Sequence, residues 1–300
     1  MVAVLHHSLA ETQAACRKFA QQGLSIGFVP TMGALHAGHG SLISRAAREN
    51  DVVVVSDFVN PLQFGDLGDL DAYPRDLDGD VALARSAGAT VVCAPQVHEL
   101  YPTWPEAPAT MVSVGPLAEI FEGAARPGHF NGVATIVTKL HNAVRPTRAY
   151  YGEKDFQQLA VIRQITSDLS PDVEIIGCTT KREADGLAMS SRNVRLSAEA
   201  RVAARGLSRA LHVAGQAFRA NPQVSAETLN ELMATSVLAG GDLVTLDYAV
   251  VVDASTFARA TGPVDPTATR CLITAIVGGV RLLDNAGLTF TLADEMSTSP

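Results

Sequence analysis

The chain has 300 residues, 47% hydrophobic and 18% charged, with a formal net charge of −8. That balance supplies a sizeable core, argues against disorder, and disfavours nucleic-acid binding, which calls for a basic face. No positive run with an apolar core opens the chain, no apolar run reaches membrane length, and the four cysteines form no CxxC pair, so the expectation is a soluble protein of the reducing cytoplasm with no membrane partner.

In chain order, the spacing predicts a helix over residues 8–22 and a strand up to Val29, broken by Pro30 and Gly33. A helix follows His39, with Leu42, Ile43, Ala46 and Ala47 on one face. The unbroken apolar run from Val52 to Val55 reads as a strand buried on both faces. Residues 58–75 read as a loop, 76–87 as a helix and 90–94 as a strand, and 96–128 as irregular apart from a short strand over 111–114. Helices at 129–144 and 156–169 alternate with strands at 149–151 and 173–176. Alternation of this kind argues a doubly wound parallel sheet over the first ~180 residues. The pattern then changes. Ser197 caps a helix whose apolar face is Val202, Leu207, Leu211, Ala214 and Phe218. A second helix starts at Ser225, and strands are expected at 243–252, 271–277 and 288–292, making a smaller α+β domain. The tail from Asp294 reads as frayed.

Polar clusters fall at element ends. His36 and His39 lie where a strand hands over to a helix, a position at which free N–H groups and the helix dipole favour anions and Gly38 permits close approach. Three readings of the pair stay open: solvated loop residues, metal ligands (the least favoured, since the i, i+4 spacing is missing), or imidazoles that handle phosphate. Asn60 and Gln63 follow the next strand. Arg126, His129 and Asn131 open a helix, and Gly152 to Asp155 with Gln158 form another strand-to-helix turn. Parallel topology puts such turns on one rim, so these clusters should converge on a crevice. A last cluster, Met189-Ser190-Ser191-Arg192-Asn193, is either an ordinary helix cap or a phosphate clamp. GxSxG, Walker and GxGxxG signatures are missing, which favours positioning and charge neutralisation over covalent catalysis.

Five blocks carry a resemblance: VPTMGALHAGH, FVNPLQF, RPGHFNGVATIVTKL, YYGEKDFQQL and READGLAMSSRN. In this order they resemble the pantothenate synthetase (pantoate–β-alanine ligase) family of the HxGH nucleotidylyltransferase superfamily, from about Gly27 to the C-terminal strands. The resemblance implies a Rossmann-like nucleotide- and pantoate-binding domain over 1–180 and a smaller lid domain over 181–300. It implies that ATP and Mg2+ are used to join pantoate to β-alanine through a pantoyl adenylate, releasing AMP and pyrophosphate, and that the protein is a homodimer. It further implies catalytic roles for His36, His39 and Lys154. ATP would be held by these three with Pro30, Thr31, Met32, Gly152, Asp155, Lys181, Met189, Ser190, Ser191 and Arg192. Pantoate and β-alanine would lie against Met32, Asn60, Gln63, His129 and Gln158. The metal ligands are left open. An AMP transfer to another acceptor, or a non-catalytic nucleotide-binding relative, are the alternative readings. The sequence departs from the family pattern at Asp57, Gly40 and Lys181, where apolar residues are usual. A buried carboxylate at Asp57 would need a partner.

Overall fold

The computed structural model describes residues 3–65 and 67–292; the tail from Asp294 lies outside them. The chain divides into two compact units, Met1–Thr179 and Thr180–Pro300.

The first unit is built on a six-stranded, all-parallel sheet with strand order β1-β4-β3-β2-β5-β6. Its strands are β1 (Val4–His6), β2 (Ile26–Thr31), β3 (Val52–Asp57), β4 (Val91–Cys93), β5 (Arg148–Gly152) and β6 (Glu174–Cys178). Between them run α1 (Leu9–Gln21), α2 (Ala37–Glu49), α3 (Leu67–Asp71), α4 (Leu77–Ser86), α5 (Val97–Leu100), α6 (Glu122–Ala125), α7 (His129–Val144) and α8 (Phe156–Leu169). Successive strand residues face opposite ways. Phe28, Val52, Val54 and Ala149 pack with α7 and α8, whereas Val29, Val53, Val55 and Tyr150 pack with α2 and α4. Both faces are covered, and that is why β3 carries no polar alternation. Phe28 and Val54 are fully buried, and each such side chain contributes about 1.5–3 kcal/mol.

Four details differ from the sequence reading. Pro30 does not end β2: it pairs with Ser56, while pairing to β5 has stopped at Phe28. The missing N–H therefore falls where only one neighbour is bonded. Strand β1 escapes the sequence reading, because three residues are too short to show a period. Residues 111–114 are not a strand, because the N–H groups of Val112 and Val114 are taken by side chains of α7, Thr135 Oγ1 (3.0 Å) and Asn131 Oδ1 (2.9 Å). The stretch read as a loop over 58–75 contains a 3₁₀ turn, Pro61–Gln63, as well as α3.

The second unit packs α9 (Ala198–Ala220) and α10 (Ala226–Leu238) on an antiparallel sheet of β7 (Val244–Asp253), β8 (Thr269–Val277) and β9 (Val280–Ala286). Ser197 and Ser225 cap the two helices by accepting from Ala200 and Thr228 N–H. Of the expected α9 face, Leu207, Leu211 and Ala214 are buried and Phe218 packs at the edge, but Val202 is 61% exposed. The third strand is Val280–Ala286, not 288–292. The Gly278-Gly279 turn, with both residues at positive φ, folds the chain straight back as a hairpin. Leu288 and Phe290 then fill the core without joining the sheet.

Candidate active site

The strand order reverses at β2, whose neighbours β3 and β5 carry the chain outward in opposite directions. Ligands of parallel sheets bind outside the carboxyl ends of strands at such a point. The turn after β2 leads to His36 and His39, and the turn after β5 is Glu153–Asp155.

His36 is the N-cap of α2. Its Nδ1 accepts from Gly38 N–H at 3.1 Å, and His39 Nδ1 accepts from the backbone N–H of His36 at 3.3 Å. The two imidazoles thus form a capping box, a role usually filled by a hydroxyl and a carboxylate. Because each Nδ1 is an acceptor, these bonds assign the ring proton to Nε2 in both residues. The rings lie 4.2 Å apart. Burial, followed by the neighbouring His36, pushes His39 down to about 3, against a rise from Asp155. His39 is therefore neutral near pH 7, and the pair offers two N–H donors at the positive end of a 13-residue helix. Both Nδ1 atoms are engaged by backbone N–H groups at a helix N-terminus, a position that suits an anion. Among the described residues, no group of three His, Cys, Asp or Glu is placed to hold a metal.

Thr31 ties the turn to the sheet: its Oγ1 donates to Ser56 C=O (2.7 Å) and accepts from Gly33 N–H (3.2 Å). Pro30 and Met32 are half-buried beside it. Asp80 of α4, which sequence reasoning missed, accepts from Ala34 and Leu35 N–H at 2.8 and 2.6 Å. Its position in a helix first turn looks like ordinary dipole compensation, so no sequence signal would have singled it out. Asp57 does have a partner, and it is another carboxyl: Asp57 hydrogen-bonds Asp80. Burial and Asp80's charge push Asp57 up to about 7.

The second and third clusters meet through one carbonyl. Asn60 is 1% exposed. Its amide donates to Gln63 Oε1 (2.7 Å) and Gly132 C=O (3.1 Å), and its oxygen accepts from Tyr101 OH (2.9 Å). Asn60 thus orients Gln63, whose NH2 group is left as its donor. Helix α7 can come this close because of Gly132, where a Cβ would lie 2.3 Å from Leu62 C=O. Both His129 Nδ1 (2.9 Å) and Arg126 Nη2 (3.0 Å) bond Gln63 C=O. The remaining His129 nitrogen accepts from Arg126 at 3.4 Å. Burial, then the Arg126 charge, depress His129 to about 4. Asn131, in contrast, serves the backbone of Val114.

After β5, Gly152 leads into the 3₁₀ turn in which Lys154 Nζ lies 3.4 Å from Asp155 Oδ1. The charges of Asp155 and Lys154 both act on His39, so this turn and the imidazole pair share one end of the sheet. Gln158 stands half-buried on the first turn of α8. Its neighbour Gln157, absent from the sequence reading, ties Glu122 N–H, Leu117 C=O and Ile120 C=O together.

In the second unit, Lys181 and Met189 are bonded to each other, Met189 N–H to Lys181 C=O at 2.9 Å. Ser190 is the N-cap of a 3₁₀ turn, Ser191–Arg195, and accepts from Arg192 N–H at 3.3 Å. Asn193 fixes the segment by donating to Glu183 Oε1 (2.7 Å) and Ala188 C=O (3.0 Å). Ser191 and Arg192 remain half-buried.

A profile of the pantoate-beta-alanine ligase family matches residues 4–287. The chain belongs to that family. It is 47% identical over 281 residues to a pantothenate synthetase of Bacteroides fragilis, spanning 93% of this chain and 96% of the relative. With that of Gluconobacter oxydans it shares 50% over 264 residues, 88% of this chain and 94% of the other. The crystal structure of pantothenate synthetase from Thermus thermophilus superposes with a TM-score of 0.86 at 43% identity, covering 95% of this chain and 99% of that one. The ligase from Francisella tularensis, solved in complex with beta-gamma ATP and beta-alanine, gives 0.76 at 31% identity, with coverage of 97% and 99%. Similarity to the ligases spans both units, so the imidazole pair and the Ser190–Arg192 segment both fall within it.

Proposed function

We propose that the chain, a pantoate–β-alanine ligase by family, runs its reaction in two stages: a pantoate carboxylate attacks the α-phosphate of ATP, and the amine of β-alanine then displaces AMP from the pantoyl adenylate. The observation that carries this reading is the capping box of two imidazoles at the start of α2. Both Nδ1 atoms are engaged by the backbone, so the Nε2–H groups are preset donors toward an anion at the helix N-terminus. Departure of pyrophosphate concentrates negative charge on phosphate oxygens, and these donors with Lys154 meet it without reorganising.

The remaining roles follow the same chemistry. Lys154, Ser190, Ser191 and Arg192 serve the ATP phosphates, Asp155 and Gly152 the ribose, and Pro30, Thr31 and Met32 the nucleotide beside the histidine turn. Since Met189 N–H is bonded to Lys181 C=O, adenine is left with the other backbone groups of those two residues. Gln63 and Gln158 take pantoate through their amides, with Met32 beside it. Asn60 acts by orienting Gln63, and His129 with Arg126 holds the same residue by its carbonyl. Magnesium would arrive on the phosphates, needing one or two carboxylates at most because it keeps much of its water.

Four free, buried cysteines suit a reducing cytoplasm. Among the described residues, no helix is long and apolar enough to cross a membrane. A homodimer is part of the proposal and is checked by sedimentation. The adenylate route is tested with ATP, pantoate and labelled pyrophosphate, without β-alanine. Label should enter ATP only when pantoate is present; absence of exchange overturns the route, and exchange with a different acid would favour another acceptor.

A further inference from the structure

The turn that delivers His36 rests on two carboxyl groups that the reaction just described does not use. Asp80 is 4% exposed, and its two oxygens accept from consecutive backbone N–H groups, Ala34 and Leu35. Asp57, at the end of β3, hydrogen-bonds Asp80. Both press against Gly33, where a Cβ would stand 2.5 Å from Asp57 Oδ1 and 3.2 Å from Asp80 Oδ2. Gly33 and Ala34 both adopt positive φ, +76° and +50°. For Ala34 that conformation is strained and persists only if its surroundings impose it.

A hydrogen bond between two carboxyl groups contains a proton. Both Asp80 oxygens already accept from backbone N–H groups, so the proton of the shared bond is Asp57's to donate. Burial and the adjacent charge of Asp80 act in the same sense, holding Asp57 protonated far above the usual carboxylate range. Other titratable groups lie on the surrounding elements. β4 places Cys93 opposite Ser56, and α2 begins with His36 and His39, the latter interacting with Lys154 and Asp155.

We propose that Asp57 is a positioning residue for the imidazole pair: protonated, it donates to Asp80 and lets both carboxyls lie against Gly33, which fixes the 33–35 turn and the start of α2, whereas ionised it repels Asp80 and loosens that turn. The active-site turn of this chain therefore carries its own proton dependence. The inference rests on the role proposed above for His36 and His39.

The test is pantoate-dependent ATP–pyrophosphate exchange at saturating substrates from pH 6 to 9, on the full chain, for the wild type, Asp57→Asn and Asp57→Ile. The wild-type maximal rate should fall at least threefold between pH 6.5 and 8.5. Asp57→Asn, which keeps a donor toward Asp80 but cannot ionise, should stay within about twofold across the range. Asp57→Ile removes the charge as well and should also be flat, which covers the case of an Asn variant that does not fold. A flat wild-type profile, or a variant profile parallel to the wild type, overturns the proposal. A merely structural Asp57 would alter melting temperature but leave the shape of the rate profile unchanged. His36→Ala, assayed beside them, separates the two ideas. Retained exchange in that variant would sink the imidazole role, while a pH difference between wild type and Asp57→Asn would still stand.

Discussion

The two segments proposed to meet phosphate are stabilised in opposite ways. At the start of α2 the chemistry-bearing side chains are themselves the cap: His36 and His39 hold the backbone through Nδ1 and present Nε2. At Ser190–Arg192 only Ser190 caps its turn, and the segment is held from behind. Asn193 bonds Glu183, Arg201 pairs with both Glu183 and Asp185, and buried Arg182 grips Asp284 through two bonds while lying over Phe290. In the first segment, fold and chemistry reside in the same atoms. In the second they are separable, because the supporting groups differ from the groups offered to a ligand.

The sharpest way to break that contrast is Asp284→Ala. It removes the carboxylate paired with the Arg182 guanidinium, which is fully buried in the second unit, and should lower stability by about 3–5 kcal/mol. Chemical denaturation should show the loss, and a loss of less than ~1 kcal/mol would mean the segment is not held from behind. Next in size, His39→Ala should slow exchange about 10²–10³-fold, roughly 2.7–4 kcal/mol of transition-state stabilisation. His36→Asn and His36→Ala should both lose rate, but Asn can still accept from Gly38 N–H. Only the Ala variant should lose a further ~1 kcal/mol of stability, which thermal melts would resolve.

The pH dependence of stability distinguishes the buried titratable groups of the first unit. His39, His129 and His141 are depressed by burial, to about 3, 4 and 4, so below pH 6.5 the unfolded chain binds more protons than the native one. Stability should fall as pH drops from about 6.5 toward 4. Asp57 is raised from 3.8 to about 7, so its contribution has the opposite slope and is lost as pH rises from about 4 to about 7. Asp57→Asn should therefore be more stable than the wild type at pH 8 and equal to it near pH 4, as judged by melting curves. The smallest effect should come from Gly40→Ala. A Cβ there would make ordinary contact, 3.4 Å from Leu83, and should stabilise α2 by about 0.5–1 kcal/mol without changing exchange.

Much of this molecule was legible in the sequence because much of it follows from local rules. The ranges of α7 and α8 follow from apolar spacing, Ser197 caps where expected and Ser8 and Ser225 stand at the helix starts read from the sequence, and the valines of β3 announce a doubly covered sheet. The strand-to-helix position of His36 and His39 was enough to suggest anions, and the ordered blocks identified the family. What could not be read were the pairings between distant residues: Asp57 with Asp80, Asn60 with Tyr101, Arg182 with Asp284, and α7 side chains with residues 112 and 114. Such contacts depend on where strand order and helix packing bring chain segments, and composition and period carry no record of that. By itself, the sequence determined which elements form and which residues stand at their ends, since these depend on neighbours within a few positions. Only tertiary structure decided the state of those residues, because a buried carboxyl keeps its proton, and an imidazole its tautomer, according to whichever groups the fold sets against it.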